Sequence, residues 1–501
     1  MHGIAIGSIA MQAIAMQAIA PDRIAMRTIG WAWDGSRALL AAVPHGGSAA
    51  AGGASAMGQG AWMADLAFPH LITLAALAFL GTLAASRLAI HLRLPAVLGV
   101  LLLGLLLHPG QQLLSPEEVE NLHLATLSML LFCTGLNADL HHIRGFLRYG
   151  VLLAAGGVVL TSLLFGGLIW AIHAGLAALW PALGIAALPL PVALLAASCL
   201  ACTDASATLD VLQRAGLRLP RRLQALVELE GGLSDPLAIL FLLLVAGLTT
   251  GNFGQGVPIQ ASLLHGAVGP GLNELATALQ AFLKSIGSGV MVGLILTFVA
   301  QFILRRFVSS HNQILLLGIA VALSSYGLAN LLHGSGFIAA YVTGLFLAND
   351  IYANHWITPE LLEHSLEPFN TLTEFSVFLL FGTLIEPSSI RDALVPGLLA
   401  ALALILIARP LSVFALQRFS PFSRRETCLI AWCGLRGAVS LALGYTALHT
   451  IPLIPGLSEA QVGTYEHQVQ GLIFLVVVCN LCLQGFSLPP LCRRLGLAGE
   501  S

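Results

Sequence analysis

The sequence predicts an all-α polytopic membrane protein of about thirteen transmembrane helices. Three observations lead there. Only 9% of the 501 residues are charged, against roughly a quarter in soluble proteins. Mean hydropathy is +0.88. Apolar runs long enough to cross a bilayer recur along nearly the whole chain, and the arginines between them alternate in a way that assigns sides. The net charge of −2 gives no reason to expect a nucleic-acid partner.

Residues 1–60 read as a low-complexity, disordered tail. A five-residue unit repeats near the start and a Gly/Ala/Ser-rich run follows. A basic start with a compact apolar core, as in a signal peptide, is missing. Met57 and Met63 are alternative starts.

The expected spans are 66–86, 94–108, 122–140, 147–173, 187–210, 223–249, 276–304, 313–332, 336–350, 369–386, 394–416, 427–449 and 467–490. With the first span running inward, the inward loops collect fifteen arginines, from Arg87 and Arg93 through Arg221, Arg222, Arg305 and Arg306 to Arg493 and Arg494. The outward loops hold only Arg391, and the loop at 109–121 is acidic. By the excess of basic residues in cytoplasmic loops, the amino terminus lies outside. The carboxyl terminus, a short tail at 496–501, is cytoplasmic. An odd number of spans leaves room for two inverted repeats and one further helix. Cys479 and Cys482 have a redox-like spacing but lie in an apolar run, where they read as packing.

A charge at the bilayer centre costs roughly 2.5–3.5 kcal/mol, so intramembrane carboxylates point to function. Four lie in spans five and six: Asp204, Glu228, Glu230 and Asp235. Asp204 sits among Cys202, Thr203, Ala205 and Ser206, small and hydroxyl-bearing residues that favour local unwinding. Such a break is tolerated at depth where it lines a polar cavity. In span six a helix advances about 100° per residue. Glu228 and Asp235 then share a face, about 10 Å apart along the axis. Glu230 points roughly 140° away from Asp235, towards another helix and an arginine there. Arg409, before Pro410 in span eleven, is the candidate partner. Gly231 and Gly232 permit close helix approach, and Pro236 frees a carbonyl one turn earlier. Ser234 and that carbonyl could ligate a cation beside Asp235.

In span twelve Arg436 lies between Gly434 and Gly437, a pattern suited to a second interrupted helix. Its guanidinium can satisfy freed carbonyls or balance Asp204 or Asp235. Glu374 falls near the end of span ten and reads as interfacial. Oxygen ligands from Asp, Thr, Ser and backbone suit Na⁺, K⁺ or Li⁺, and no His/Cys cluster suggests a transition metal. A confined carboxylate that holds either a proton or such a cation, one at a time, produces exchange with no further chemistry.

On Thr203-Asp204, Glu228-x-Glu230-x4-Asp235, Ala408-Arg409-Pro410 and Gly434-Leu-Arg436-Gly-Ala-Val-Ser440, the chain resembles the monovalent cation:proton antiporters of the NhaP/NHE type across 66–495. The resemblance implies an inverted-repeat fold in which the interrupted helices five and twelve cross near the midplane. It implies a transport bundle at about 147–249 and 394–490 and a dimerisation part at about 66–140 and 276–386, working by alternating access as a homodimer in a bacterial inner membrane, with a role in pH homeostasis. Asp235 would bind the cation and proton, with Thr203, Asp204 and Ser234 helping to bind the ions or shape the site. Glu230 would pair with Arg409, Arg436 would stabilise the crossing helices, and Glu228 would stand at the inward mouth. No cofactor and no enzymatic chemistry is expected. Ser234 stands where the family usually has Asn, which bears on stoichiometry; because Ser cannot hold a second proton, electroneutral exchange is expected. Ala205 stands where many members have Pro, which brings the chain nearer the potassium/proton subgroup. Regulation through a domain after the last span is not expected. The alternative is an ion channel or a transport-inactive sensor on the same fold.

Overall fold

The computed structural model describes residues 58–92, 94–107, 116–138, 145–250, 272–308, 310–349, 359–497 and 499–500. The chain divides into two units, 1–77 and 78–501. In the first unit the described residues are helical and belong to α1 (Gly58–His91). The tail expected at 1–60 lies outside the described residues as far as 57.

The second unit continues with α2 (Ala96–Leu106), α3 (Pro116–Leu136), α4 (Leu147–Leu179), α5 (Leu190–Cys199), α6 (Ala205–Arg214) and α7 (Arg221–Thr250). Then come α8 (Leu272–Arg306), α9 (His311–Leu331), α10 (Gly336–Ala348), α11 (Pro359–Leu384) and the short α12 (Pro387–Asp392). The last are α13 (Leu394–Ala403), α14 (Arg409–Ala415), α15 (Arg424–Trp432), α16 (Ala438–Thr450) and α17 (Glu459–Leu495). Among the described residues seven helices are long and apolar enough to cross a membrane, and five shorter ones are apolar. The chain is an integral membrane protein.

Each stretch expected to span overlaps a helix or a broken pair of helices. Two boundaries moved for identifiable reasons. Helix α11 starts at Pro359 rather than near 369, because Glu360, Glu363 and Glu367 make its first turns too polar for hydropathy to register. Residues 499–500, expected in a short cytoplasmic tail, form a strand β2 (Gly499–Glu500) antiparallel to β1 (Leu217–Arg218). Helix starts follow local chemistry. Ser423 with Glu426 and Ser458 with Gln461 form reciprocal capping boxes at α15 and α17. Gly496, at φ 68°, closes α17 in the left-handed conformation.

Within 78–501 the helices pack as two groups. One holds α2, α3 and α8 to α11; the other holds α4 to α7 and α12 to α17. They meet where α3 and α10 touch α7 and where α3 and α11 touch α16. In lipid, apolar attraction between helices is weak, so close backbone approach through small residues takes its place. The α3–α10 crossing shows this. A Cβ on Gly344 would run into the Phe132 carbonyl, and one on Gly135 into the Tyr341 carbonyl.

Gly344→Ala should therefore cost about 1–3 kcal/mol by overpacking and lower the apparent melting temperature in detergent. Gly327→Ala, which meets nothing within 4 Å, is the control. Equal melting of both variants would contradict the account.

Candidate functional site

Two breaks in helix structure build the site. Residues 200–204 separate α5 from α6, and residues 433–437 separate α15 from α16. The broken segments touch: the Asp204 amide donates to the Leu435 carbonyl at 2.8 Å. A break leaves buried amides and carbonyls without intrahelical partners, and each exposed half-helix end carries partial charge. Two side chains answer this. Asp204 Oδ1 accepts from the Ala207 amide at 2.9 Å and the Ser206 hydroxyl at 2.6 Å, capping α6. Its Oδ2 lies where a Cβ on Gly437 would fall, at the start of α16. One carboxylate thus sits at two helix N-termini. Arg436, fully buried, donates Nη1 to the Ala201 carbonyl at 2.8 Å and to the Cys202 carbonyl, beyond the C-terminal end of α5. The Arg436 amide donates to Asn480 Oδ1 on α17 at 2.9 Å.

The second component is α7. Here Gly231 lies so close to the start of α6 that an added Cβ would fall 2.6 Å from the Ala205 Cβ. This approach lets Ser234 reach the break: its Oγ accepts from the Thr203 amide at 3.1 Å and donates to the Gly231 carbonyl at 2.9 Å. Thr203 Oγ1 donates to Glu230 Oε1 at 3.2 Å. Asp235, next along, is 8% exposed.

Glu230 and Arg409 form a buried ion pair, Nη2 to Oε2 at 2.8 Å. The arginine is placed by an irregularity. A π-helical stretch, Leu404–Ala408, precedes α14 and ends immediately before Arg409 and Pro410. A π turn inserts a residue and rotates the rest of the helix by about 100°. Gly434 and Gly157 leave room for the guanidinium, as added Cβ atoms there would lie 3.3 Å from Nε and 3.7 Å from Nη1.

Of the residues singled out in the sequence, the structure joins Thr203, Ser234 and Glu230 directly, and Arg409 through Glu230. Asp204 and Arg436 meet the same break from either side. Glu228 accepts from the Gln224 amide nitrogen at 2.8 Å on the same helix. Helical spacing separates Glu230 from Asp235, yet Thr203 links Glu230 to the site. Two contributors escaped the sequence reading. Thr134 on α3 stands beside the Asp235 carboxylate, and Asn480 holds the second break. Each is a single polar residue in an apolar run, the only signal that could have marked it. Among the described residues no group of His, Cys, Asp and Glu could hold a transition metal, and all eight cysteines are free thiols.

Residues 74–494 match the family model described as sodium/hydrogen exchanger, transmembrane. A K⁺/H⁺ antiporter NhaP of Alkalimonas amylolytica is 29% identical over 430 residues, covering 84% of this chain and 66% of the relative. The K⁺/H⁺ antiporter NhaP2 of Shewanella oneidensis is 30% identical over 353 residues, covering 66% of this chain and 55% of the relative. The chain thus spans less than two thirds of these relatives' length. A solved structure of the sodium proton antiporter MjNhaP1 from Methanocaldococcus jannaschii has a TM-score of 0.68 at 23% identity, over 86% of this chain and 99% of that one, and shares the fold.

Removing one member of a buried ion pair costs about 3–5 kcal/mol, because the other charge stays behind. Arg409→Met should therefore strongly lower the apparent melting temperature, and Glu230→Gln combined with Arg409→Met should recover part of the loss. Wild-type melting of Arg409→Met alone would show that the pair does not hold α14 against α7.

Proposed function

The chain belongs to the sodium/hydrogen exchanger family, and from that premise we propose that it exchanges protons for a monovalent cation, Na⁺ or K⁺, at Asp235. One observation carries the reading. Helix α7 bears two buried carboxylates with opposite surroundings. Glu230 is neutralised by Arg409. Asp235 has no salt bridge among the described residues, and stands beside hydroxyl groups next to a broken helix. A buried carboxylate without a fixed counter-charge needs a mobile one. A proton or a dehydrated monovalent cation meets that need, and one excludes the other. One site loaded in turn from either side of the membrane would yield counterflow without covalent chemistry.

Asp204, held as a cap, shapes the site rather than moving ions. Thr203 and Ser234 supply oxygens near the cation. Ser234 cannot take a second proton, so one-for-one exchange follows. The group containing α4 to α7 and α13 to α17 serves as the transport bundle, and the other group serves as the scaffold and the contact of a homodimer. Arg214, Arg222, Arg424 and Arg493 end or begin helices of the transport group near residues 215–222, and this end faces the cytoplasm.

In everted vesicles with a pH-sensitive dye, adding Na⁺ or K⁺ should release protons through the wild type, saturably, and not through Asp235→Asn. Undiminished exchange by that variant would remove Asp235 from the mechanism. For orientation, Ser423→Cys and Ser388→Cys in a background without native cysteines should behave oppositely to an impermeant thiol reagent. The first should react only in everted vesicles and the second only in intact cells. The reverse pattern would invert the topology.

A further inference from the structure

Around Asp235 the hydroxyl protons of its own bundle are already engaged. Ser234 donates to the Gly231 carbonyl at 2.9 Å and Thr203 to Glu230 at 3.2 Å. From the other bundle Thr134 donates to the Leu130 carbonyl at 3.0 Å. Its side chain is also a hydrogen-bond partner of the Asp235 carboxylate. Tyr341 differs. It lies on α10, one of the two scaffold helices that touch α7. It is 4% exposed, and its hydroxyl has no hydrogen-bond partner among the described residues. Gly135 brings α3 against the Tyr341 carbonyl, which fixes the backbone from which the ring extends. Thr134, the neighbour of Gly135 on α3, packs against Gly232 of α7, one turn before Asp235, so the α3–α10 crossing that holds Tyr341 lies at this level of α7. A buried hydroxyl without a partner loses its hydration and gains nothing in return, so its retention at a carboxylate calls for an occupant that uses it.

We propose that Tyr341 is a selectivity-determining residue for the cation held at Asp235, its hydroxyl oxygen closing the site from the scaffold bundle. This rests on the assignment of exchange to Asp235. The cation then takes oxygens from both bundles: carboxylate and hydroxyl groups from α5 to α7 on one side, Thr134 and Tyr341 on the other. Cations of different radius need different distances to such a set. Thus the separation of the bundles at α10 and α7 enters the choice between Na⁺ and K⁺. When the transport bundle moves, the scaffold oxygens stay behind and the site loosens.

The test compares wild type, Tyr341→Phe and Asp235→Asn as full-length protein in proteoliposomes, with initial exchange rates measured against Na⁺, K⁺ and Li⁺. Tyr341→Phe keeps the ring and its packing. It should raise KM for the transported cation about tenfold, the size of one lost polar contact of about 1.4 kcal/mol. It should leave the maximal rate within about twofold and change the Na⁺/K⁺ preference. An unchanged KM and preference would overturn the proposal. So would a maximal rate that falls while KM stays constant, as for a purely structural residue. If Tyr341→Phe reconstitutes poorly, cation-induced thermal stabilisation of the purified variant decides. A wild-type pattern across the three cations overturns the proposal, and a weakened or reordered one supports it. Exchange that survives in Asp235→Asn is a separate failure, that of the site assignment, and removes the ground of the proposal with it.

Discussion

The structure depends on one problem of membrane physics: how to leave helix ends in the middle of an apolar bundle. Every backbone group there needs a partner, and an unsatisfied one costs several kcal/mol. The two breaks at 200–204 and 433–437 meet that requirement together. Their backbones bond to each other through Asp204 and Leu435. Asp204 brings negative charge to the N-terminal ends of α6 and α16, and Arg436 brings positive charge to the carbonyls following α5. These placements match the sign of the helix-end charges. Each break supplies partners to the other.

That arrangement constrains α7. Gly231 must lie against Ala205 for Ser234 to reach the Thr203 amide. A larger residue would lift the helix off the break and take Asp235 with it. Glu230, one turn earlier, is tied to Arg409, whose position depends on the π stretch before α14. The polar groups therefore form one connected set: Arg409, Glu230, Thr203, Ser234, with Asp204 and Arg436 on either side of the crossing. The carboxylate proposed to exchange ions is the member of α7 that this set leaves without a fixed positive partner.

The boundary between the two helix groups has a different character. Inside the scaffold, glycine crossings at Gly135 and Gly344 bring backbones into contact, which resists sliding. Against α7 the same group offers side chains, Ala138 and Thr134, at Gly232. Side-chain contacts can be exchanged for others when one group moves, whereas interlocked backbones cannot. The crossing inside one group and the boundary with the other thus differ in the kind of packing each uses.

Much of this was legible in the sequence, for a physical reason. Lipid enforces long apolar runs, so hydropathy located the helices; it missed the start of α11, where Glu360, Glu363 and Glu367 interrupt the signal. Charge at depth is costly, so Asp204, Glu230, Asp235, Arg409 and Arg436 stood out unaided. Helical geometry then separated Glu230 from Asp235. The cap made by Asp204 was not legible. An aspartate beside Thr203 and Ser206 reads equally well as ligand or cap, and only the direction of the chain at Ala205 decides. Thr134, Tyr341 and Asn480 were also silent, since one polar residue in an apolar run is common and its partner is distant in the chain. By itself the sequence determined which helices form, where two of them break and which charges must be buried, because these depend on solvation and periodicity. The tertiary structure decided that Thr134 of the other helix group stands beside Asp235, because that depends on how two helix groups pack, which no local pattern encodes.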